Sequence, residues 1–233
     1  MNYIERSIAL NAGLDQVTPG ERVTFEPDYV YLSGSHAKGF LLKLNEAEGR
    51  TGKTGRILTN LILEKDFASF PGWSRLLNDS SNHIIKEEEV SSLAKGSSSL
   101  LVAGADPRTG AAGARGAIPI LLSPAALYKT LLTGKAEVTI PDTIYIELNG
   151  YNKMFNIKGL DGYLEDYFKD SLVGCGVIIG GEAIRNMGED EKLSILSFLY
   201  EMGVSVAVYS AGGALGQVDR AIKVQQHILE KQG

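Results

Sequence analysis

Two arginines lie in a glycine-rich turn that follows an apolar run. Arg108 and Arg115 flank Gly110 and Gly113, directly after the run Leu100–Ala103. Such a turn presents backbone N–H groups, and a guanidinium fork binds carboxylate or phosphate oxygens. These residues therefore predict an anion site with Arg108 and Arg115 as its binding groups. Close backbone packing explains the glycines equally well, because their spacing is not the GxGxxG of a dinucleotide site.

A second candidate pair lies on one predicted helix. Ser197 and Glu201 are four residues apart, which places both side chains on the same helix face. The negative end of the helix dipole disfavours a carboxylate near the helix C-terminus, so Glu201 is expected to have a partner. A solvated glutamate is the alternative interpretation.

Three further residues carry reactive groups. His83 precedes the acidic turn KEEEV and is either a surface histidine or a proton-transfer group. Asp106 lies between a predicted strand and the glycine-rich turn, where an aspartate commonly caps a turn. The single cysteine, Cys175, is surrounded by glycine and valine, as is typical of a buried small hydrophobe. One thiol excludes an internal disulfide and is too few for a multi-thiolate metal site.

Charge and hydropathy narrow the range of partners. The chain has 23 basic and 28 acidic residues, a formal charge of -5, and no basic stripe interleaved with aromatic residues. Nucleic acid is therefore not an expected partner. No apolar run approaches the ~20 residues that cross a bilayer, and the start MNYIERSIALNAG has no cleavage pattern. We therefore expect a cytoplasmic protein without a membrane partner.

Apolar runs alternate with segments of helical period, which indicates an α/β protein whose sheet is covered by helices. One predicted helix begins at the cap Ser123-Pro124 and stops at Gly134, and another spans about Asp190–Met202. The predicted strands are Val23–Leu32, Arg56–Leu63, Leu100–Ala103, Thr143–Leu148, Gly176–Ile179 and Val204–Tyr209.

The chain is predicted to form one domain over residues 1–233, because no Pro/Ser-rich linker interrupts it. The tail after Ser210 is predicted to be helical over residues 210–233. Its apolar residues could then lie on the body of the protein or on a partner, and they are Val218, Ile222, Val224 and Ile228.

Three segments occur in the order and spacing of a known family: SLLVAGADPRTGAAGARGA, LLTGKAEVTIPDTIYIELNG and GGEAIRNMGEDEKLSILSFLYEMG. Together with VTPGERVTFEPDYVYLSGSHA, they resemble the large subunits of aconitase and isopropylmalate dehydratase. The likeness covers about residues 17–209. It implies a three-layer α/β/α domain with a parallel-rich sheet, corresponding to the first domain of that family. In the family, a further domain supplies the cysteines of an iron–sulfur cluster.

The resemblance also implies roles for individual residues. His83 matches a histidine near the substrate hydroxyl, and Asp106 matches an aspartate that the family pairs with a histidine. Arg108 replaces that histidine and is expected to point into the substrate cleft. Glu201 matches a glutamate that binds the substrate hydroxyl, and Ser197 replaces an asparagine one helical turn earlier. The resemblance thus implies His83, Asp106 and Glu201 as catalytic residues, with Arg108, Arg115 and Ser197 binding substrate.

The implied function is a lyase, a hydratase or dehydratase of a small hydroxy-carboxylic acid. Because one cysteine cannot hold the cluster, no cofactor of the chain's own is predicted. The predicted partners are the small carboxylate ligand and a second subunit that supplies the missing domains, or further copies of this chain. The alternative is a non-catalytic carboxylate-binding or regulatory module derived from the same fold, so the sequence leaves enzymatic activity open.

Overall fold

The computed structural model describes residues 1–51, 57–64, 83–97, 99–150, 157–210, 216 and 218–225. Within them, short strands alternate with helices over most of the chain. The strands are β1 Arg22–Phe25, β2 Tyr29–Leu32, β3 Leu61–Leu63, β4 Ile84–Lys86, β5 Leu101–Gly104, β6 Ile118–Leu121, β7 Ala136–Thr139, β8 Thr143–Asn149, β9 Gly176–Gly180, β10 Val206–Tyr209 and β11 Arg220–Gln225. The helices are α1 Tyr3–Ala12, α2 Gly34–Thr51, α3 Val90–Gly96, α4 Gly110–Ala114, α5 Pro124–Thr133, α6 Ile157–Phe168 and α7 Glu189–Glu201.

A sheet of 9 strands has the order β11-β8-β9-β10-β6-β5-β2-β3-β4. All neighbours in it are parallel except β6 and β10, which are antiparallel. We call β6, β5, β2, β3 and β4 the first half-sheet and β10, β9, β8 and β11 the second half-sheet. Because the two half-sheets run in opposite directions, their carboxyl ends lie at opposite edges of the sheet.

Helices cover both faces of this sheet. Buried residues of α1, α2 and α5 pack on one face, together with the small antiparallel sheet of β1 and β7. Buried residues of α3, α4, α6 and α7 pack on the other face. The predicted three-layer α/β/α fold with a mostly parallel sheet is therefore confirmed.

Two helices begin and end close to their predicted positions. In α5, the Ser123 side chain accepts a hydrogen bond from the N–H of Ala126 at 3.3 Å. The helix ends at Gly134, whose φ of 73° is readily adopted by glycine. In α7, three acidic residues occupy the first turn, which the positive end of the helix dipole favours.

Two predicted elements are wrong in detail. The predicted strand Val23–Leu32 is split into β1 and β2, which belong to different sheets. Pro27 lies in the break, where its fixed φ and missing N–H prevent a continuous ladder. The predicted strand at Arg56–Leu63 begins only at Leu61, and Arg56 itself lies outside the described residues.

The helical tail predicted for residues 210–233 is also wrong in its described part. Residues 220–225 form β11, which extends the sheet by pairing in parallel with β8. Ile222 and Val224 are buried while the residues beside them are exposed, an alternation of period two that belongs to a strand.

In the described ranges, no helix combines the length and apolar character needed to cross a membrane.

The two half-sheets meet around one buried tyrosine of α7. The Tyr200 hydroxyl donates to the carbonyl of Pro119 in β6 at 2.8 Å, and it accepts from the N–H of Ala207 in β10 at 3.1 Å. Tyr200 is 3% exposed, so both backbone groups depend on this hydroxyl rather than on water. One side chain thus joins the two strands where the sheet changes direction.

We expect Tyr200→Phe to lower the free energy of unfolding by about 2 kcal/mol, because a buried carbonyl and a buried N–H lose their shared partner. Denaturant unfolding followed by circular dichroism measures this change. Tyr167→Phe is the matched control, since Tyr167 is an exposed tyrosine of α6, and it should change stability by less than about 0.5 kcal/mol. Equal effects of the two substitutions would contradict the role of the Tyr200 hydroxyl.

A candidate active site at a topological switch point

The chain leaves the neighbouring strands β2 and β5 in opposite directions. From β2 it continues through α2, on one face of the sheet, toward β3. From β5 it continues through the turn Pro107–Thr109 and α4, on the other face, toward β6. In open α/β sheets, ligands bind in the crevice that this divergence leaves at the carboxyl ends of the strands. We call this place the switch-point crevice and define it by Ser33, Ser35, His36, Glu64, Asp106 and Arg108.

His36, in the first turn of α2, lies against Asp106 at the end of β5. Its Nδ1 is 3.7 Å from Oδ2 of Asp106 and 3.1 Å from the hydroxyl of Ser33. That hydroxyl donates to the same carboxylate oxygen at 3.2 Å. Because the Ser33 hydroxyl donates to Asp106, a hydrogen bond from Nδ1 of His36 to Ser33 is compatible with these contacts. The tautomer with its proton on Nδ1 has Nε2 as the acceptor of the ring.

Asp106 both caps a turn and positions the imidazole. Its Oδ1 accepts from the backbone N–H of Arg108 at 2.8 Å, so the capping role expected from the sequence is present. Its Oδ2 accepts from Ser33 and also from the hydroxyl of Ser35 at 3.4 Å. The side chains of Asp106 and His36 are each 19% exposed, which limits the competition from water. The carboxylate is thus held in one orientation from both sides.

Arg108 forms an ion pair across the crevice with Glu64, which directly follows β3. The other carboxylate oxygen of Glu64 accepts from the N–H of Gly34 at 2.9 Å, so Glu64 also anchors the start of α2. The negative charge of Glu64 raises the pKa of Arg108 above its ordinary value. The ion-pair partner of the Arg108 guanidinium is thus Glu64, whereas Asp106 accepts from the backbone N–H of Arg108. The Arg108 side chain is 64% exposed, and only Nη1 contacts Glu64.

Ser197 and Glu201 reach the same edge of the sheet on the last turns of α7. The backbone nitrogen of Ser197 lies 3.6 Å from the position that a Cβ on Gly110 would occupy, so Ser197 is adjacent to the turn that holds Arg108. Glu201 is exposed, and its electrostatic neighbour is Asp161 of α6. Among the described residues, no cation forms an ion pair with Glu201, so the partner expected for this carboxylate is not found there.

Two predicted site residues lie outside the crevice. His83 precedes β4 and thus lies at the amino ends of the first half-sheet, where Nδ1 is hydrogen-bonded to the Tyr29 hydroxyl at 2.7 Å. Arg115 is 2.9 Å from Glu87 and 3.3 Å from Glu189, and its side chain is only 16% exposed. His83 and Arg115 therefore do not share one pocket with Asp106 and Arg108.

The crevice contains four polar residues that the sequence interpretation did not select: Ser33, Ser35, His36 and Glu64. A signal was present in the sequence, because Ser-Gly-Ser-His directly follows the predicted strand that ends at Leu32. Polar side chains just beyond the carboxyl end of a buried strand are typical of α/β ligand sites. The strand order was still needed, since only the pairing of β2 with β5 places His36 beside Asp106.

The residues of this chain do not fit an iron–sulfur cluster. Cys175 is its single cysteine, and burial raises the pKa of the thiol, which disfavours the thiolate that binds iron. The charges of Asp142 and Asp219 raise that pKa further. Within the described ranges, no group of three or more His, Cys, Asp or Glu side chains is placed to hold a metal ion.

No model of a known protein family matches the chain, and no curated protein matches it. The functional interpretation therefore depends on the geometry of the switch-point crevice and on the motif resemblance. The catalytic and substrate-binding roles given to His83, Asp106, Glu201, Arg108, Arg115 and Ser197 remain predictions.

Asp161, beside Glu201, predicts a specific dependence of stability on pH. Burial and, to a lesser extent, the charge of Glu201 raise the pKa of Asp161 from 3.8 to about 6. Its Oδ1 is buried and has no hydrogen-bond partner in the described part of the chain. A raised carboxyl pKa contributes stability that is present below pH ~4 and is lost as the pH rises through about 6.

We therefore expect Asp161→Asn to raise the free energy of unfolding at pH 7 by about 1 kcal/mol, after allowance for solvent screening of a half-exposed group. The gain should disappear near pH 4. Urea unfolding at both pH values tests this expectation, with Asp166→Asn, an exposed aspartate of the same helix, as the control. A variant that is less stable than wild type at pH 7 would refute the electrostatic explanation.

Proposed function

We propose that the switch-point crevice binds a small hydroxy-carboxylic acid and that His36 transfers protons in its dehydration or hydration. The observation that carries this proposal is the position of His36, whose Nδ1 lies 3.1 Å from the Ser33 hydroxyl and 3.7 Å from the Asp106 carboxylate at the carboxyl ends of β2 and β5. A carboxylate beside one imidazole nitrogen orients the ring and stabilises the imidazolium that forms when the other nitrogen accepts a proton.

The geometry supports a particular order of proton transfers. Nε2 of His36 removes a proton from the carbon next to a substrate carboxylate, and Asp106 stabilises the resulting imidazolium. The imidazolium then donates this proton to the hydroxyl that leaves the neighbouring carbon. A carbon–carbon double bond and one water molecule are the products, and hydration is the reverse reaction.

Arg108 supports the same reaction as an electrophile. A guanidinium has five N–H donors in a planar fork, and in Arg108 only Nη1 is engaged by Glu64. The remaining donors can bind a substrate carboxylate and stabilise the negative charge that develops when the carbon loses its proton. Because Glu64 raises the pKa of Arg108, the group stays charged and does not itself deliver a proton.

The motif resemblance supports this class of reaction. His36 is the next-to-last residue of one of the segments that resemble aconitase and isopropylmalate dehydratase large subunits, and Asp106 and Arg108 belong to another. Since the residues of this chain do not fit a cluster, the proposal assigns the proton transfers to its own side chains. A second subunit that supplies the missing domains remains a prediction.

A carboxylate-binding module without catalysis is the second candidate. It is favoured by the positions of His83 and Arg115, which leave fewer reactive groups in the crevice than the resemblance implies. Such a module would still use Arg108 to bind its ligand. The two candidates therefore differ in proton transfer and agree in ligand binding.

The catalytic proposal is tested by hydrogen exchange in D₂O. A panel of hydroxy-dicarboxylates and hydroxy-tricarboxylates is incubated with the chain, and NMR follows the loss of the carbon-bound proton signal and the appearance of an alkene. We expect exchange with at least one compound. His36→Gln should reduce its rate by about 100-fold or more, because the general base is removed.

His83→Gln is the matched control, since it alters a histidine at the opposite edge of the sheet, and it should leave the exchange rate within about twofold of wild type. If His83→Gln abolishes exchange and His36→Gln does not, the assignment of the base is wrong. Carboxylate binding without any exchange would favour the non-catalytic module.

Arg108 is tested by ligand-induced thermal stabilisation. Arg108→Gln should abolish the increase in melting temperature that a bound carboxylate produces, because binding stabilises only the native state. The unliganded variant should lose no more than about 1 kcal/mol, since the ion pair with Glu64 is largely exposed. Arg6→Gln, a change at an exposed arginine of α1, is the control. A ligand shift that persists in Arg108→Gln would exclude this residue from the binding site.

A further inference from the structure

A cavity of about 790 Å³ lies at the carboxyl ends of β8, β9 and β10. These strands belong to the second half-sheet, so the cavity opens at the edge opposite to the switch-point crevice. Residues near the ends of α4 and α7 complete its wall. Its volume falls within the range of about 300–1,000 Å³ that is typical of small-molecule sites.

The glycines of this cavity are explained by packing and do not themselves indicate a ligand. Gly181 has a φ of 103°, and a Cβ there would collide with the backbone of Leu148. A Cβ on Gly180 would collide with the Tyr145 side chain. Any recognition of a ligand must therefore come from the polar side chains of the wall.

The acidic groups of the wall already have partners. Glu147 is 3.2 Å from the ammonium of Lys223, and hydrogen bonds from Asn149 and Lys223 lower its pKa. Glu182 accepts a hydrogen bond from the backbone N–H of Gly150 at 2.8 Å. These two carboxylates therefore contact Lys223, Asn149 and the backbone of Gly150.

Two cations of the wall have no such partner. Neither Arg185 nor Lys192 forms an ion pair with any carboxylate of the described residues. The Lys192 ammonium lies 5.9 Å from the centre of the Tyr209 ring, which holds it at the wall. Tyr145 also lines the cavity, its hydroxyl packs against Gly180, and no hydrogen-bond partner for that hydroxyl occurs in the described ranges. The wall therefore offers two cations that have no ion-pair partner among the described residues, beside two carboxylates that contact other groups.

We propose that this cavity binds the phosphate group of a small phosphate monoester through Arg185, Lys192 and Tyr145. A phosphate monoester carries up to two negative charges near neutral pH, and these match the two cations. Its three terminal oxygens match donors that come from three different elements, whereas a single carboxylate has two oxygens. The remaining volume accommodates the organic part of the ester beside Tyr209 and Asn149.

Isothermal titration of the full chain with ribose 5-phosphate, AMP and inorganic phosphate tests the proposal. We expect at least one ester to bind more tightly than inorganic phosphate, because the cavity is larger than a phosphate ion. Arg185→Gln and Lys192→Gln should each weaken binding of that ester by about tenfold or more, since each removes a charge-assisted contact.

Three controls separate this site from non-specific attraction and from the crevice. Arg6→Gln combined with Lys129→Gln removes one guanidinium and one ammonium from exposed positions elsewhere, and it should leave the dissociation constant within about twofold of wild type. His36→Gln should also leave it unchanged. Succinate and citrate, as carboxylates of similar charge, should bind this cavity more weakly than the ester.

The proposal is overturned if none of the three phosphate compounds binds with a dissociation constant below about 10 mM. It is equally overturned if the Arg185 and Lys192 variants bind the ester as well as wild type, or if the surface control weakens binding to the same extent. Tighter binding of succinate or citrate that depends on Arg185 and Lys192 would show that the ligand class is a carboxylate.

Discussion

The antiparallel contact between β6 and β10 determines the arrangement of the rest of the molecule. Because the sheet reverses direction there, the carboxyl ends of its two half-sheets face opposite edges. Carboxyl ends of parallel strands are where α/β folds place their ligands. One sheet therefore offers two separate positions for chemistry, and the buried hydroxyl of Tyr200 bridges the backbones of the two strands that meet at the reversal.

At the first of these positions, one carboxylate links local structure to function. Asp106 caps the turn after β5 through one oxygen, and its other oxygen orients His36 with the help of Ser33. Glu64 acts similarly from the neighbouring strand, since it anchors the start of α2 and pairs with Arg108. Each loop of the crevice is thus tied to a second loop, which reduces the conformational freedom that substrate binding would otherwise have to restrict.

Local patterns in the sequence were sufficient to predict the class of fold and the bounds of several helices and strands. The cap at Ser123-Pro124 and the stop at Gly134 predicted α5 because capping depends on neighbouring residues alone. The tail was predicted as a helix, whereas Ile222 and Val224 lie in a strand that pairs with β8. The spacing of a few apolar residues is compatible with the period of a helix and with that of a strand, so the pairing with β8 was needed to distinguish them. The capping of a turn by Asp106 was also within reach of the sequence, since it is local.

The sequence by itself thus determined the α/β class, the main helices and the presence of Asp106 and Arg108 in one glycine-rich turn. Only the tertiary structure decided which side chains meet. His36 and Asp106 are 70 residues apart in the chain, and Glu64 and Arg108 are 44 apart, so no local pattern relates them. Strand order brings them together, because β2 lies between β5 and β3 and directs three loops to the same edge. The same order places His83 at the opposite edge, since that residue precedes its strand and does not follow it.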